Sequence, residues 1–486
     1  MSLAVRNQEP KEVWNMFANL NAVPRPSKKE ERVIQFMIDF ANQLNLENFV
    51  DKVGNVIVRK PATKGFENRK TVVLQSHLDM VHQKNNATVF DFDKEGIQMI
   101  VDGDWIKADG TTLGADNGLG VASIMAILAS KTIEHPNLEA LFTIDEETGM
   151  TGAMGLEAGI LKGDILLNLD TEEDDEIGMG CAGGIDITAT RVYKEEATPI
   201  AATGYKIFVK GLNGGHSGMD IIKGLGNANK IMNRLLFDGF TNFGLRINEI
   251  NGGSLRNAIP RESTATVVVD KISKETFLLE TATLIKTIQE EFKILEPNLS
   301  IELKEISAPE KVMELSAQEV LLKSIYAALN GVYRMSATIS NLVETSNNIA
   351  RIIVKNGAIK IGCLTRSSSE TNKLDLANSL RSSFELADFT VEFSGNYPGW
   401  QPNLDSEILK IAAELYEKLY GEKAKVEACH AGLECGILGQ NYPKMDMISF
   451  GPTIRGAHSP DERASISSTQ KFWKFLLEIL KNTPKK

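Results

Sequence analysis

Cysteine is scarce, with four in 486 residues (Cys181, Cys363, Cys429 and Cys435) and no C-x-x-C pair among them. That rules out a disulfide-stapled scaffold and leaves reduced, structural thiols as the expectation. No segment has the uninterrupted apolar length of a membrane span. The first residues, MSLAVRNQEPKEVWNMF, carry charges throughout and lack the apolar core of a signal peptide, so a cytoplasmic location is expected. Basic patches are missing as well. A net charge of -11 disfavours nucleic acid and anionic membrane as partners and suits metal ions or cationic groups as ligands. Histidine is rare, at positions 77, 82, 135, 216, 430 and 458 only, and four of the six stand in glycine- or aspartate-rich contexts. What remains is ordinary soluble material, 42% hydrophobic and 24% charged, in a chain too long for one core and expected to form two or three domains.

Residues 71–81, TVVLQSHLDMV, read as a buried strand whose apolar run ends in Ser76, His77, Leu78 and Asp79. A His followed two residues later by Asp lets the imidazole bind a metal while the carboxylate holds its other ring nitrogen. By itself the pair reads more readily as a hydrogen-bonded histidine at a strand end. Three more short apolar runs behave alike: EALFTI before Asp145, Glu146 and Glu147; DILLNL before Asp170; and MDMISF before GPTIRGAH and His458. Between them LGADNGLGVASIMAILAS sets Asp116 in a glycine-flanked loop ahead of an apolar helix, where it could also serve as a simple cap. Two amphipathic helices are expected between residues 9 and 46, on either side of the Pro24–Pro26 break. Strands alternating with helices indicate an α/β sheet with ligands at its carboxyl edge.

The texture changes between about 187 and 395. Strands are expected at 205–211, 263–270, 358–365 and 389–393, and helices at 219–237, 275–293 and 370–385. This is the pattern of an inserted α+β domain, read as two similar strand-and-helix units in tandem. The expected division is a first catalytic part at 1–186, an inserted domain at 187–395 and a second catalytic part at 396–486.

His77, Asp116, Glu146, Glu147, Asp170 and His458 make up a mixed nitrogen and oxygen set that suits zinc, manganese or cobalt. Two ions roughly 3.5–4 Å apart explain so many carboxylates better than one, because one acid must bridge them and others balance their charge. Each acid has a plain structural alternative: a helix cap, a solvated turn, or part of the acidic run DTEEDDE. Jointly those alternatives fail, because carboxylates gathered at one sheet edge repel unless cations compensate.

The ordered motifs SHLDM, GADNG, DEETG, NLDTEE, GGHSGMD and GAHSPDE resemble the M20 group of zinc metallopeptidases over nearly the whole chain, and within it the cytosolic dipeptidases active on Xaa-His substrates. The resemblance implies an α/β catalytic domain with a mixed sheet flanked by helices, plus an inserted α+β lid. It implies two divalent ions, zinc first and cobalt or manganese as alternatives. His77 and Asp170 would bind one ion, Glu147 and His458 the other, and Asp116 would bridge them across a cis peptide to Asn117. Asp79 would orient His77, and Glu146 would act as general base. His216, between glycines in GGHSG, is the candidate oxyanion donor from the lid. Asn257 and Arg366 resemble lid residues that contact substrate, the arginine pairing with its terminal carboxylate. His430 and Glu434, in HAGLECG, fall where relatives carry a glycine-rich substrate loop.

His82 and His135 are expected to be structural. Residues 172–176 either attract a peptide's free ammonium or form a solvated loop. Three functions are weighed: a di-metal dipeptidase for unblocked dipeptides, an amidase deacylating N-acyl amino acids on the same centre, and a non-catalytic peptide or metal binder. The expected partner is a small peptide, and the inserted domain either replaces a homodimer partner or forms the dimer.

Overall fold

The apolar runs that end in polar residues become adjacent strands, because an all-apolar run is stable only where both faces are covered. Val72–His77 is buried at every position and pairs in parallel with Leu138–Thr143 on one side and Ile165–Asn168 on the other. Asp446–Ser449 continues the parallel set beside Ile165–Asn168. The four share one direction, so the segments after them leave the same edge of the sheet. The complete sheet has eight strands, completed by Glu47–Val50 and Val56–Lys60 on one flank and Glu176–Cys181 and Lys425–Cys429 on the other.

This computed structural model describes residues 3–486. The chain divides into two units, the first comprising Met1–Cys181, Trp400–Ala428 and Leu433–Lys486, the second Ala182–Gly399 and Cys429–Gly432. Among the described residues no helix is long and apolar enough to cross a membrane.

In the first unit the helix Ala115–Ala129 is apolar on all sides and accordingly buried from Asn117 to Leu128. It packs on Val72–His77 and on the helix Lys11–Leu20, whose Trp14 and Phe17 are fully buried. A Cβ at Gly118 would come within 2.9 Å of the Phe17 ring, so the glycine admits the phenylalanine. Phe17→Ala should therefore lower stability by about 3–5 kcal/mol, read from denaturant unfolding, since the cavity opens where the helices cannot close further. A smaller sheet of four strands pairs Ile454–Arg455 with Arg463–Ser465, and the loop between these two carries His458.

The second unit is built on a nine-stranded antiparallel sheet. Its two halves share one βαββαβ plan. One half runs Ala202–Lys210, helix Ala228–Phe243, Arg246–Gly253, Ser263–Asp270, helix Lys274–Phe292 and Ser300–Ile306. The other runs Gly183–Val192, helix Leu315–Ala327, Val343–Lys355, Ala358–Ser367, helix Glu370–Glu385 and Thr390–Tyr397. They join edge to edge where Ile250–Gly253 pairs antiparallel with Arg351–Val354. The units are nested and not in tandem, because the first half is inserted between the opening strand and opening helix of the second. Nesting is invisible to a linear reading, which sees only strands and helices in succession. The expected helix at 219–237 also begins late. Ile221–Lys223 is a single 3-10 turn stopped by Gly224 at φ +66°, and the α-helix starts at Ala228 with Asn227 capping its first amides.

Candidate active site

Three strand ends and one loop of the first unit bring the predicted metal-binding side chains together. His77 closes the central strand, Asp170 stands two residues beyond Ile165–Asn168, and Glu146 and Glu147 open a short helix after Leu138–Thr143. Asp116 sits in the first turn of the buried helix with extended backbone angles, and the Asp116–Asn117 peptide is cis. His458 holds a left-handed φ of +64°, a conformation that side chains other than glycine adopt rarely outside functional sites.

The hydrogen bonds fix the proton on His77. Its Nδ1 lies 3.1 Å from the Asp79 carbonyl oxygen and 3.3 Å from Asp79 Oδ1, both acceptors, so Nδ1 donates. Nε2 faces Asp116 Oδ1 at 3.2 Å and Asp170 Oδ1 at 3.5 Å, donating to them while the ring is protonated and open to an ion once that proton is lost. On the other side of Asp116, His458 Nε2 lies 3.1 Å from Asp116 Oδ2 and 3.0 Å from Glu147 Oε2. Each trio offers three ligand atoms within 4.8 Å of one another, and Asp116 belongs to both.

Acceptors that face one another in this way need cations among them. In the bare protein the imidazoles supply the charge. Burial works against a charged His77, yet Asp170, Asp116 and Asp79 hold its pKa well above the ordinary imidazole value. Hydrogen bonds to Asp116 and Glu147 lift His458 to about 11. Burial raises Asp170 to about 6 against the pull of His77. Glu147 Oε1 is buried and has no hydrogen-bond partner, a lone pair left over for an ion. A nitrogen and oxygen donor set with one shared carboxylate therefore fits a pair of divalent ions.

Glu146 differs from its neighbour. Its carboxylate meets no hydrogen-bond donor among the described residues, while its backbone amide donates to Asp79 Oδ1 at 3.0 Å. Burial, with Asp170, Glu434 and Glu147 nearby, holds Glu146 well above the ordinary carboxylate range despite His77. Asp79 is fully buried and also accepts from the Glu147 amide at 3.3 Å, so it braces both His77 and the turn bearing the two glutamates.

Beneath the site runs a polar ladder. Glu434 Oε2 accepts from Gln75 Nε2 at 2.6 Å and Thr143 Oγ1 at 2.7 Å, and Gln75 passes on to Asn168 and Ser449. Burial lifts Glu434 to about 7. It ties the strands Val72–His77 and Leu138–Thr143 together close to the candidate ligands, the supporting place that was one of the two expected for it.

The acidic run is half-exposed and held by ion pairs. Glu173 pairs with Arg455 at 2.8 Å, Asp174 with Lys471 at 3.0 Å and Asp175 with Lys425 at 2.8 Å. Glu172 alone faces the site, raised to about 8 by burial and by Asp116 and Asp170. His135 is buried with Nδ1 2.7 Å from the Pro136 carbonyl oxygen, and the His82 ring lies edge-on to Phe92 at 5.9 Å.

In the second unit His216, Arg366 and His430 gather around a common centre. His216 Nδ1 accepts from the amides of Gly218 and Met219 at 3.3 and 3.1 Å, which puts its proton on Nε2. That Nε2 lies 3.4 Å from Arg366 Nη2. Two donors thus point at the same place, where only an acceptor could satisfy both. Arg366 is 4% exposed and otherwise donates to Tyr397 Oη at 2.8 Å and Ser217 Oγ at 3.4 Å. Among the described residues no carboxylate lies within 4 Å of it. His430 Nε2 lies 2.7 Å from Ser346 Oγ, and burial beside Arg366 and His216 pushes its pKa down to about 3, so the ring stays neutral. Asn257 is exposed, and it is its carbonyl oxygen, not its side chain, that holds the Ser217 amide at 2.7 Å. Arg366 is the one cation of this cluster, buried among imidazoles whose pKa values are lowered.

Sequence reasoning missed Arg25, Glu30, Ser217, Tyr397 and Glu462. Glu30 accepts from the Asp145 amide at 3.1 Å, and Arg25 and Glu462 are buried against the turn bearing Asp116. No signal in the sequence marked them, since a charge in PRPS or SPDE reads as solvated.

The sequence model of Peptidase family M20/M25/M40 matches residues 73–482. The chain is 44% identical over 479 residues to the cytosol non-specific dipeptidase of Escherichia coli (strain K12), covering 98% of both chains. Its fold matches the crystal structure of aminoacylhistidine dipeptidase from Vibrio alginolyticus with a TM-score of 0.94 at 44% identity, over 99% of this chain and 98% of that one. A tripeptidase from Staphylococcus aureus shares the fold at a TM-score of 0.56 and 17% identity, over 98% of each chain.

Proposed function

The chain belongs to peptidase family M20/M25/M40, and from that premise we propose that it is a di-metal dipeptidase hydrolysing unblocked dipeptides, Xaa-His among them. The observation that carries the reading is the pair of ligand trios sharing Asp116, with Glu146 adjacent in sequence to Glu147 and a member of neither trio. His77 and Asp170 would hold one ion, His458 and Glu147 the other, and Asp116 both, with zinc the first expectation for this donor set and cobalt or manganese the alternatives. When bound, such ions acidify water and polarise the scissile carbonyl.

The remaining work falls to the protein's own groups. Glu146 receives the proton of the attacking water on its carboxylate and returns it to the leaving amine, a task that its raised pKa favours and that coordination would prevent. Asp79 holds the His77 ring and the Glu146 amide in register. In the second unit Arg366 would pair with the substrate's terminal carboxylate and His216 Nε2–H would donate to substrate oxygen, which resolves the clash of two donors.

This reading separates from the deacylase alternative by substrate. A panel of Xaa-His and ordinary dipeptides against N-acetyl amino acids should show turnover of the former, and preference for the latter would reverse the assignment. Arg366→Met should raise KM for dipeptides by about thirtyfold, the roughly 2 kcal/mol of a hydrogen-bonded charge, while C-terminal amides lose little. Equal losses on both would remove the carboxylate from this pocket.

A further inference from the structure

We propose that Arg25 and Glu462 are positioning residues for Asp116, a buried pair that grips the turn carrying this carboxylate from opposite polarities and so sets the spacing of the two metal positions. The inference rests on the di-metal reading above.

Arg25 is 1% exposed, and its guanidinium is engaged mainly by backbone. Nη1 donates to the carbonyl oxygens of Leu78 at 3.0 Å and Asp79 at 3.1 Å, one and two residues beyond His77. Nη2 donates to the Gly114 carbonyl oxygen at 2.5 Å and to Asn21 Oδ1 at 3.1 Å. One rigid fork thus ties the segment behind His77 to the segment ahead of Asp116.

Glu462 is 2% exposed and engages the same turn through its amides. Oε2 accepts from Leu113 at 2.7 Å and Gly114 at 2.9 Å, and Oε1 from Ala115 at 2.7 Å and Asp116 at 3.3 Å. The helix Ala115–Ala129 begins at Gly114, which has no capping side chain, so Glu462 satisfies amides that would otherwise be orphaned in the interior. Because Glu462 follows His458 by four residues, the same loop supplies a ligand and the clamp for the shared ligand.

The glycines of LGADNGLG fit this arrangement. A Cβ at Gly114 would lie 2.5 Å from Arg25 Nη2, and one at Gly118 would lie 2.6 Å from it. Both positions are kept bare to admit the guanidinium. Asn21 completes the brace, its Nδ2 donating to the Leu113 carbonyl oxygen at 3.0 Å. A buried charge costs several kcal/mol unless well paired, and Arg25 and Glu462 form no direct ion pair within 4 Å. Hydrogen bonds that all converge on the backbone beside metal-binding residues are what a positioning role requires.

The test is a Co2+ titration of the chelator-stripped protein, followed by visible absorbance, on wild type, Arg25→Lys, Glu462→Gln and Asn21→Ser, with the thermal unfolding of each apo form recorded. Wild type should take up two equivalents. Arg25→Lys and Glu462→Gln should need ten- to a hundredfold more Co2+ for the second equivalent, with a shifted absorbance band, as loss of partners behind metal ligands typically does. Folded variants that bind two Co2+ with wild-type affinity and spectrum would overturn the inference, whatever their unfolding temperature. Should both charge variants fail to fold, Asn21→Ser decides: severalfold weaker uptake supports the brace and unchanged uptake ends it. A wild-type protein that takes up fewer than two equivalents would instead remove the di-metal reading, and the inference with it.

Discussion

Glu146→Gln should leave the fold and the metal content intact while kcat falls by about 10²–10⁴-fold, the usual contribution of a general base. The substitution is nearly isosteric, and among the described residues the Glu146 carboxylate accepts no hydrogen bond, so no such bond is lost. Its backbone amide, which donates to Asp79, is untouched. KM should change little, because the glutamate is assigned to the proton and not to substrate binding. The neighbouring Glu147→Gln makes the contrast: it should lower metal content along with activity, since Glu147 Oε2 approaches His458 at 3.0 Å within the second ligand trio. Two adjacent glutamates with opposite phenotypes, measured by metal analysis and steady-state kinetics on the same preparations, would be hard to obtain from any surface turn. Substantial hydrolysis by Glu146→Gln would take the residue out of the reaction.

The candidate ligands could be picked out in the sequence because they lie where short apolar runs stop, whereas the separate roles of Glu146 and Glu147 came only from the family resemblance. A fully buried strand such as Val72–His77 declares itself by hydrophobicity, and its first polar residue marks the sheet edge. His77, the Glu146–Glu147 pair, Asp170 and His458 all follow such runs, and parallel pairing delivers them to one edge. Arg25 and Glu462 could not be read in this way. Their partners are backbone carbonyls and amides, which have no identity in a sequence, and a lone charge after proline or in a loop looks solvated until the fold closes over it. The same limit hid the nested halves of the second unit. Ser263–Asp270, Glu370–Glu385 and Ala358–Ser367 stand nearly where their periodicity put them, but the pairing of Arg246–Gly253 with Val343–Lys355 joins segments about ninety residues apart and is decided by topology. The ion pairs of the acidic run were hidden for a third reason: its cations, Arg455, Lys471 and Lys425, lie more than two hundred residues away along the chain.

Removing metal should abolish hydrolysis, a loss of at least about 10³-fold given the several kcal/mol such ions supply, and two equivalents should restore it. The pattern of ligand substitutions then tests whether Asp116 is shared. His458 approaches Asp116 and Glu147 but belongs to one trio only, so His458→Ala should keep about half of the bound metal, held by His77, Asp170 and Asp116. Asp116 contributes Oδ1 toward His77 and Oδ2 toward His458, so Asp116→Ala should lose both ions together. Stability should follow occupancy, because an ion that binds only the folded chain adds RT ln(1 + [L]/Kd), about 2.7 kcal/mol per site at a hundredfold excess over Kd. Wild type should therefore melt higher with metal than without, His458→Ala should show a smaller gap, and Asp116→Ala none. An Asp116→Ala protein that still bound one ion tightly would mean that the two trios are independent sites, and a bridged pair would no longer describe this centre.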